Sequence, residues 1–173
     1  MRLLGLDLSA RETDATGVAT YDGGRIRTFT VYKDKDIMEL INRNKPEIVA
    51  IGAPLVVVNK PFRAAETELQ HLGFQLTPLN TGGMHQLAKR AASIKYAIEA
   101  TTKVIECYPS LTRQVLKISK AKELKNVGFG NIIKNEHEED AIFDAITALF
   151  YAEGNYDQFG DEEEGYIILP KAI

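Results

Sequence analysis

Apolar positions along the chain fall into short runs separated by turn signals. Leu3 to Ser9 is an apolar run ending on small and polar residues, which predicts a first strand. Gly17 to Tyr21 is a second run, and Asp22-Gly23-Gly24 is a tight-turn signal joining it to Ile26–Tyr32, which alternates as a third strand should. Asp36 to Asn42 has helical spacing, with Ile37, Leu40 and Ile41 on one side, and Pro46 ends that helix. Glu47 to Ile51 is a continuous apolar run, the pattern of a strand covered on both faces. Arg63 to Leu72 predicts a short helix stopped by Gly73, and Thr77 to Gly83 a loop. Met84 to Ala100 predicts a long helix, Lys103 to Cys107 a fifth strand, and Pro109 opens a further short helix. Asn135 is placed to cap a last helix running to about Ala152, with Glu138 at capping-box spacing.

The predicted order is β-β-β-α-β-α-α-β-α. Three meandering strands followed by helix-separated strands imply an α/β fold with a five-stranded mixed sheet and helices on both faces. That order is the ribonuclease H order. A length of 173 residues suits one such domain over the whole chain, 1–173, with residues 154–173 read as an acidic tail.

Composition narrows the function classes. No apolar run approaches the roughly 18 residues of a membrane span, and the N-terminus enters a strand without a cleavable signal pattern. The single cysteine excludes an internal disulfide and a cysteine-based zinc site. A cytoplasmic protein is expected. The net charge of −3 is unevenly spread: residues 111–134 carry six basic groups and one acid, whereas residues 135–173 carry one lysine and eleven acids. The basic stretch holds Arg113, Lys117, Lys120, Lys122 and Lys125; it is either a solvated helix face and linker or a local phosphate-binding surface. Neither a GxGxxG nor a P-loop pattern is present, which disfavours dinucleotide binding and P-loop chemistry.

The acids carry the candidate chemistry. Asp7 lies inside the first strand, and a buried carboxylate there requires a cation, a donor or exposure; capping the following turn accounts for it equally. Glu106 poses the same question on the fifth strand. Alternation places Val104 and Glu106 on one face and Ile105 and Cys107 on the other, and a solvent-facing strand end is the plain alternative. His137, Asp140 and Asp144 share one stripe of the last helix, although acids near a helix N-terminus also suit its dipole without any catalytic work. In the ribonuclease H plan one acid from the first strand, one from a later strand and one from the last helix converge. Converging carboxylates repel unless a cation neutralises them, and oxygen-only ligands suit Mg²⁺ or Mn²⁺. Two such ions about 4 Å apart clamp the attacking and leaving oxygens of a phosphodiester.

The stretches Gly5-Leu6-Asp7-Leu8-Ser9, Ala50-Ile51-Gly52-Ala53-Pro54-Leu55, Arg63 with Glu66, Glu106-Cys107-Tyr108-Pro109 and Asp140 to Ala145, with the Gly160–Lys171 tail, resemble domain-of-unknown-function family 429. The wider resemblance is to the RuvC resolvases and YqgF proteins. It implies a ribonuclease H-like, metal-dependent nuclease acting on DNA or RNA, with Asp7, Glu106, Asp140 and His137 catalytic. Asp7, Glu106, Asp140 and Asp144 would be metal ligands. Arg63, Glu66 and Lys117 would bind substrate, with Arg63 on phosphate; an ordinary surface pair is the other reading of Arg63 and Glu66. Where family 429 usually has an acid, this chain has Gly52. Either Glu106 supplies the missing carboxylate, as in YqgF-like proteins with a Gly-x-Pro-Leu strand end, or the site has lost a ligand. The second case describes an inactive module that binds nucleic acid or protein. A phosphotransferase of the actin group is weaker still, because it needs a duplicated domain. Structured nucleic acid is the expected partner. The sequence leaves the oligomeric state open, though a junction resolvase would have to be a homodimer to cut two strands symmetrically.

Overall fold

The computed structural model describes residues 1–171. The strands are β1 (Arg2–Asp7), β2 (Thr16–Asp22), β3 (Arg25–Val31), β4 (Ile48–Ile51), β5 (Lys103–Glu106), β6 (Gly128–Phe129), β7 (Tyr156–Asp161) and β8 (Gly165–Pro170). The α-helices are α1 (Asp34–Asn44), α2 (Ala64–His71), α3 (Gly82–Ile98), α4 (Pro109–Leu116) and α5 (Glu136–Ala152). Across the sheet the order is β6-β3-β2-β1-β4-β5-β8-β7. The antiparallel β1–β2–β3 meander matches the expectation, and the parallel β1–β4 and β4–β5 pairs make the sheet mixed, as expected. None of the described helices is long and apolar enough to cross a membrane.

Among the described residues the sheet has eight strands rather than five. Two-residue β6 extends the edge beside β3. The segment read as an acidic tail is a β7–β8 hairpin, and β8 pairs parallel with β5 through Glu106 and Ile167. Asp161 closes β7 and the acids Glu162–Glu164 form the turn, whereas Ile167, Ile168 and Leu169 are buried. An apolar run of three after a charged cluster is too short to reveal a strand by periodicity. Ala172 and Ile173, at the end of the expected tail, lie outside the described residues.

Alternation along the central strands sorts their side chains. Leu4, Leu6, Val49 and Ile51 pack against Ile37 and Ile41 of α1 and Ala91, Ile94 and Ile98 of α3. Leu3, Ile48, Ala50, Ile105 and Cys107 face the other way, toward Ala148 of α5. Helix α5 is buried on nearly every side from Ala141 to Ala148, as expected of a helix apolar around most of its circumference. It lies close on the sheet because Gly5 and Gly17 have no side chain: a Cβ at Gly5 would collide with backbone of Ala141 and Ala145, and one at Gly17 with backbone of His137. At the N-terminus of α5, the Asn135 side chain accepts from the Glu138 amide as expected. The return half of the capping box is not made. Glu138 instead accepts from Thr28, Thr30 and the Lys134 amide, pinning α5 to β3.

Candidate active site

Strand register places the site. Leu6 pairs with Ile51 and Ile51 with Glu106, and the Gly52 amide donates to Leu6 and the Cys107 amide to Ile51. Asp7, Gly52 and Cys107 therefore stand side by side at the carboxyl ends of three adjacent strands, where neighbouring chains lie about 4.8 Å apart. All three belong to the face that α5 covers. Carboxyl ends of parallel strands are where open α/β sheets bind ligands.

Helix α5 supplies the opposing groups. His137 Nδ1 lies 2.8 Å from Asp7 Oδ2, with nearly half of the histidine side chain exposed. Arg113 of α4 lies over the Phe143 ring at 4.2 Å, and its Nη2 is 2.5 Å from Asp140 Oδ1. Asp144, one turn further along, is fully buried and accepts from the Cys107 thiol at 3.1 Å. Its Oδ2 has no hydrogen-bond partner among the described residues. That carboxylate fills the space beside Gly52, where an added Cβ would come within 2.8 Å of Asp144 Oδ2.

Burial, partly offset by the His137 hydrogen bond, raises the Asp7 pKa to about 6, and the negative charge of Asp140 adds to the rise. Burial, then the charge on Asp7, pushes Asp144 well above the usual carboxylate range. Burial and the adjoining Asp144 also push the Cys107 thiol up. These mutually repelling acids would each gain from a cation.

Glu106 does not join them. It sits one residue before the row and so points to the opposite face. There its carboxylate is bound by Arg63, through Nη2 and through Nη1 at 3.0 Å, and by the Leu55 amide at 2.9 Å. Burial pushes its pKa up and Arg63 works against that rise. Arg63 also holds Glu66, with Nη2 at 2.6 Å from Oε1, and donates to the Glu164 carbonyl at 3.2 Å. The Arg63 side chain has no exposed surface, so the expected phosphate contact cannot form. The pair is not an ordinary surface pair either. Arg63, Glu66 and Glu106 form a buried ionic triad joining α2, β5 and the β7–β8 turn. Lys117, also expected on substrate, is exposed at the end of α4 in the left-handed conformation, with φ 54°.

The residues brought together are thus Asp7, His137, Asp140 and Asp144, joined by Arg113 and Cys107. Hard oxygen donors from two elements and an unpartnered buried Asp144 oxygen fit a divalent cation such as Mg²⁺ or Mn²⁺. In this conformation no three His, Cys, Asp or Glu side chains among the described residues surround a common point; the His137 and Arg113 contacts hold Asp7 and Asp140. Arg113 and Gly52 were not anticipated in these roles. The signal for Gly52 lay in aligning the strand ends, which puts Gly52 and Cys107 beside Asp7; Arg113, on α4, had no such local signal.

The fold defines a class: an α/β protein with a ribonuclease H-like fold. RuvC from T. thermophilus, in complex with a Holliday junction substrate, has a similar structure, with TM-score 0.56 and 19% identity over 89% of this chain and 96% of that one. No protein-family model matches this chain, and no curated protein does. The likeness to family 429 remains one of motifs.

Proposed function

We propose that this protein is a divalent-metal-dependent nuclease that hydrolyses phosphodiester bonds in DNA or RNA, with structured or branched nucleic acid as its substrate. The observation that carries the proposal is the gathering of Asp7, Asp140 and Asp144 at the strand ends, with a buried Asp144 oxygen lacking a partner among the described residues. The T. thermophilus protein's Holliday junction complex supports the choice of substrate class.

Asp7, Asp140 and Asp144 would hold Mg²⁺ or Mn²⁺. A bound ion of this kind activates water and stabilises the departing oxygen. Around it the chain's own groups have separate tasks. Asp7 orients the His137 ring through Nδ1, and Nε2 makes no hydrogen bond among the described residues, so it can take or give a proton at the solvent side. Arg113, braced on Phe143, steers Asp140 and carries positive charge next to the acids. Exposed Lys117 and Lys122 would attract the sugar-phosphate backbone. The Arg63–Glu106 pair holds Leu55 and so the chain leaving β4.

A second reading has observations of its own. Gly52 replaces an expected acid, Arg63 occupies Glu106, and Arg113 occupies Asp140. A non-catalytic binding module would show these features. The discriminating experiment is cleavage of a panel of single-stranded, duplex and branched DNA and RNA with Mg²⁺ or Mn²⁺, comparing the native protein with Asp7→Asn. Metal-dependent cleavage lost in the variant supports the nuclease. No cleavage, or equal cleavage by the variant, leaves the binding module.

A further inference from the structure

Beside Asp7 and Asp140 lies a cavity of about 250 Å³, enclosed by the chain leaving β4, the start of α3 and the start of α4. We propose that it receives a single unstacked nucleobase of the bound nucleic acid, a proposal that rests on the nuclease reading above and names how that site would grip its substrate.

Three observations point to a base rather than a phosphate or a larger ligand. The cavity is smaller than the roughly 300–1,000 Å³ occupied by drug-sized ligands, which suits one flat ring system. Among the described residues no Lys, Arg or His lines it, whereas Asp7, Asp140, Glu66 and Glu106 do. A phosphate would meet only like charge there. Apolar side chains, Pro54, Leu79, Met84 and Leu87 among them, form much of the rest of the wall, and an uncharged ring packs against these.

The cavity also offers a polar anchor. Among the described residues Glu106 Oε1 accepts a hydrogen bond from Arg63 alone, leaving acceptor capacity for one more donor. Every nucleobase able to pair carries an N–H on its pairing edge, and a carboxylate reads such an edge well. Asp7 and Asp140 line the cavity, so a base seated here belongs to a nucleotide next to the phosphate under attack. Extruding a base costs least where it is already unpaired. The cavity would thereby favour junctions, loops and single strands over uninterrupted duplex.

Met84 is one of three methionines in the chain, with Met1 and Met38, so it provides a local probe. The test titrates deoxynucleosides into full-length protein carrying isotope-labelled methionine methyl groups, with deoxyribose phosphate as control. The expected result is a saturable ring-current shift of the Met84 methyl, with Met1 and Met38 unmoved and no response to the control. Affinity should be millimolar, as ligand efficiency allows for about ten heavy atoms. Leu87→Trp, which fills the cavity from α3, should abolish the shift. An unmoved Met84, or one moved equally by deoxyribose phosphate, overturns the proposal. Nucleoside binding needs neither metal nor cleavage, so its outcome separates from that of the nuclease assay. Protein that cuts nucleic acid while Met84 stays unmoved loses the pocket alone. Protein that shifts Met84 but cuts nothing keeps the pocket and loses the nuclease.

Discussion

Arg63→Met provides the sharpest test of the role assigned to Glu106. Arg63 has no exposed side-chain surface, and its two partners, Glu66 and Glu106, expose only 3% and 5% of theirs. Removing the guanidinium leaves two carboxylates in the interior without their cation. Breaking a buried ion pair by removing one partner costs about 3–5 kcal/mol. For a chain of this size each kcal/mol shifts the melting temperature by roughly 2–4 °C, so the variant should melt roughly 6–20 °C lower. Glu106→Leu should also destabilise, because the Leu55 amide loses its acceptor and Arg63 keeps only Glu66. Combining Arg63→Met, Glu66→Gln and Glu106→Leu should recover much of the loss, since apolar groups of similar size replace buried ion pairs at little cost. Urea unfolding followed by far-ultraviolet circular dichroism is the suitable assay, as the chain has no tryptophan. If Glu106→Leu unfolds within about 1 kcal/mol of the native protein, a surface-like effect, and loses Mn²⁺ binding, the structural role is wrong and Glu106 is a ligand after all.

Three further outcomes follow from the acid row. Millimolar Mn²⁺ should raise the thermal midpoint by linkage, and Asp144→Asn should remove most of that rise; an equal rise in the variant would exclude Asp144 as a ligand. Asp7 binds its proton more tightly folded, at about 6, than unfolded, near 3.8. Its contribution to stability is therefore fully present below pH 4 and is lost as pH rises through 6. Asp7→Asn should accordingly stabilise metal-free protein at pH 8 and have little such effect at pH 4, and a gain independent of pH in unfolding titrations would contradict this. Gly52→Ala should destabilise by about 1–3 kcal/mol through overpacking against Asp144, and Asp144→Ala should relieve that cost in the double variant. Additive losses in denaturation would show that the two positions do not share the space.

How much was legible in the sequence depended on the range of the interactions. The β1–β3 meander, α5 and its Asn135 cap are encoded by local periodicity and turn residues, and they stand as expected. Helical spacing put His137 and Asp140 on one stripe, but bringing that stripe to Asp7 required the ribonuclease H element order, which sets the last helix beside the first strand. Glu106 was misplaced for a different reason. Alternation correctly set it opposite Cys107, but its partner Arg63 lies 43 residues away, and only the folded chain reveals that pairing. The resemblance made Glu106 a candidate ligand, whereas the register puts Cys107 in the acid row. The β7–β8 hairpin was hidden because three apolar residues behind a run of acids carry too little pattern to announce a strand.

That hairpin has a consequence for how the protein is made. Strands β7 and β8 leave the ribosome after β5, so until they arrive β5 presents bare backbone amides and carbonyls, an invitation to pair with another nascent chain. The four consecutive acids at the hairpin's tip repel similar chains while that vulnerable border awaits closure. Deleting residues 154–171 should therefore yield insoluble protein, well before any question of catalysis arises.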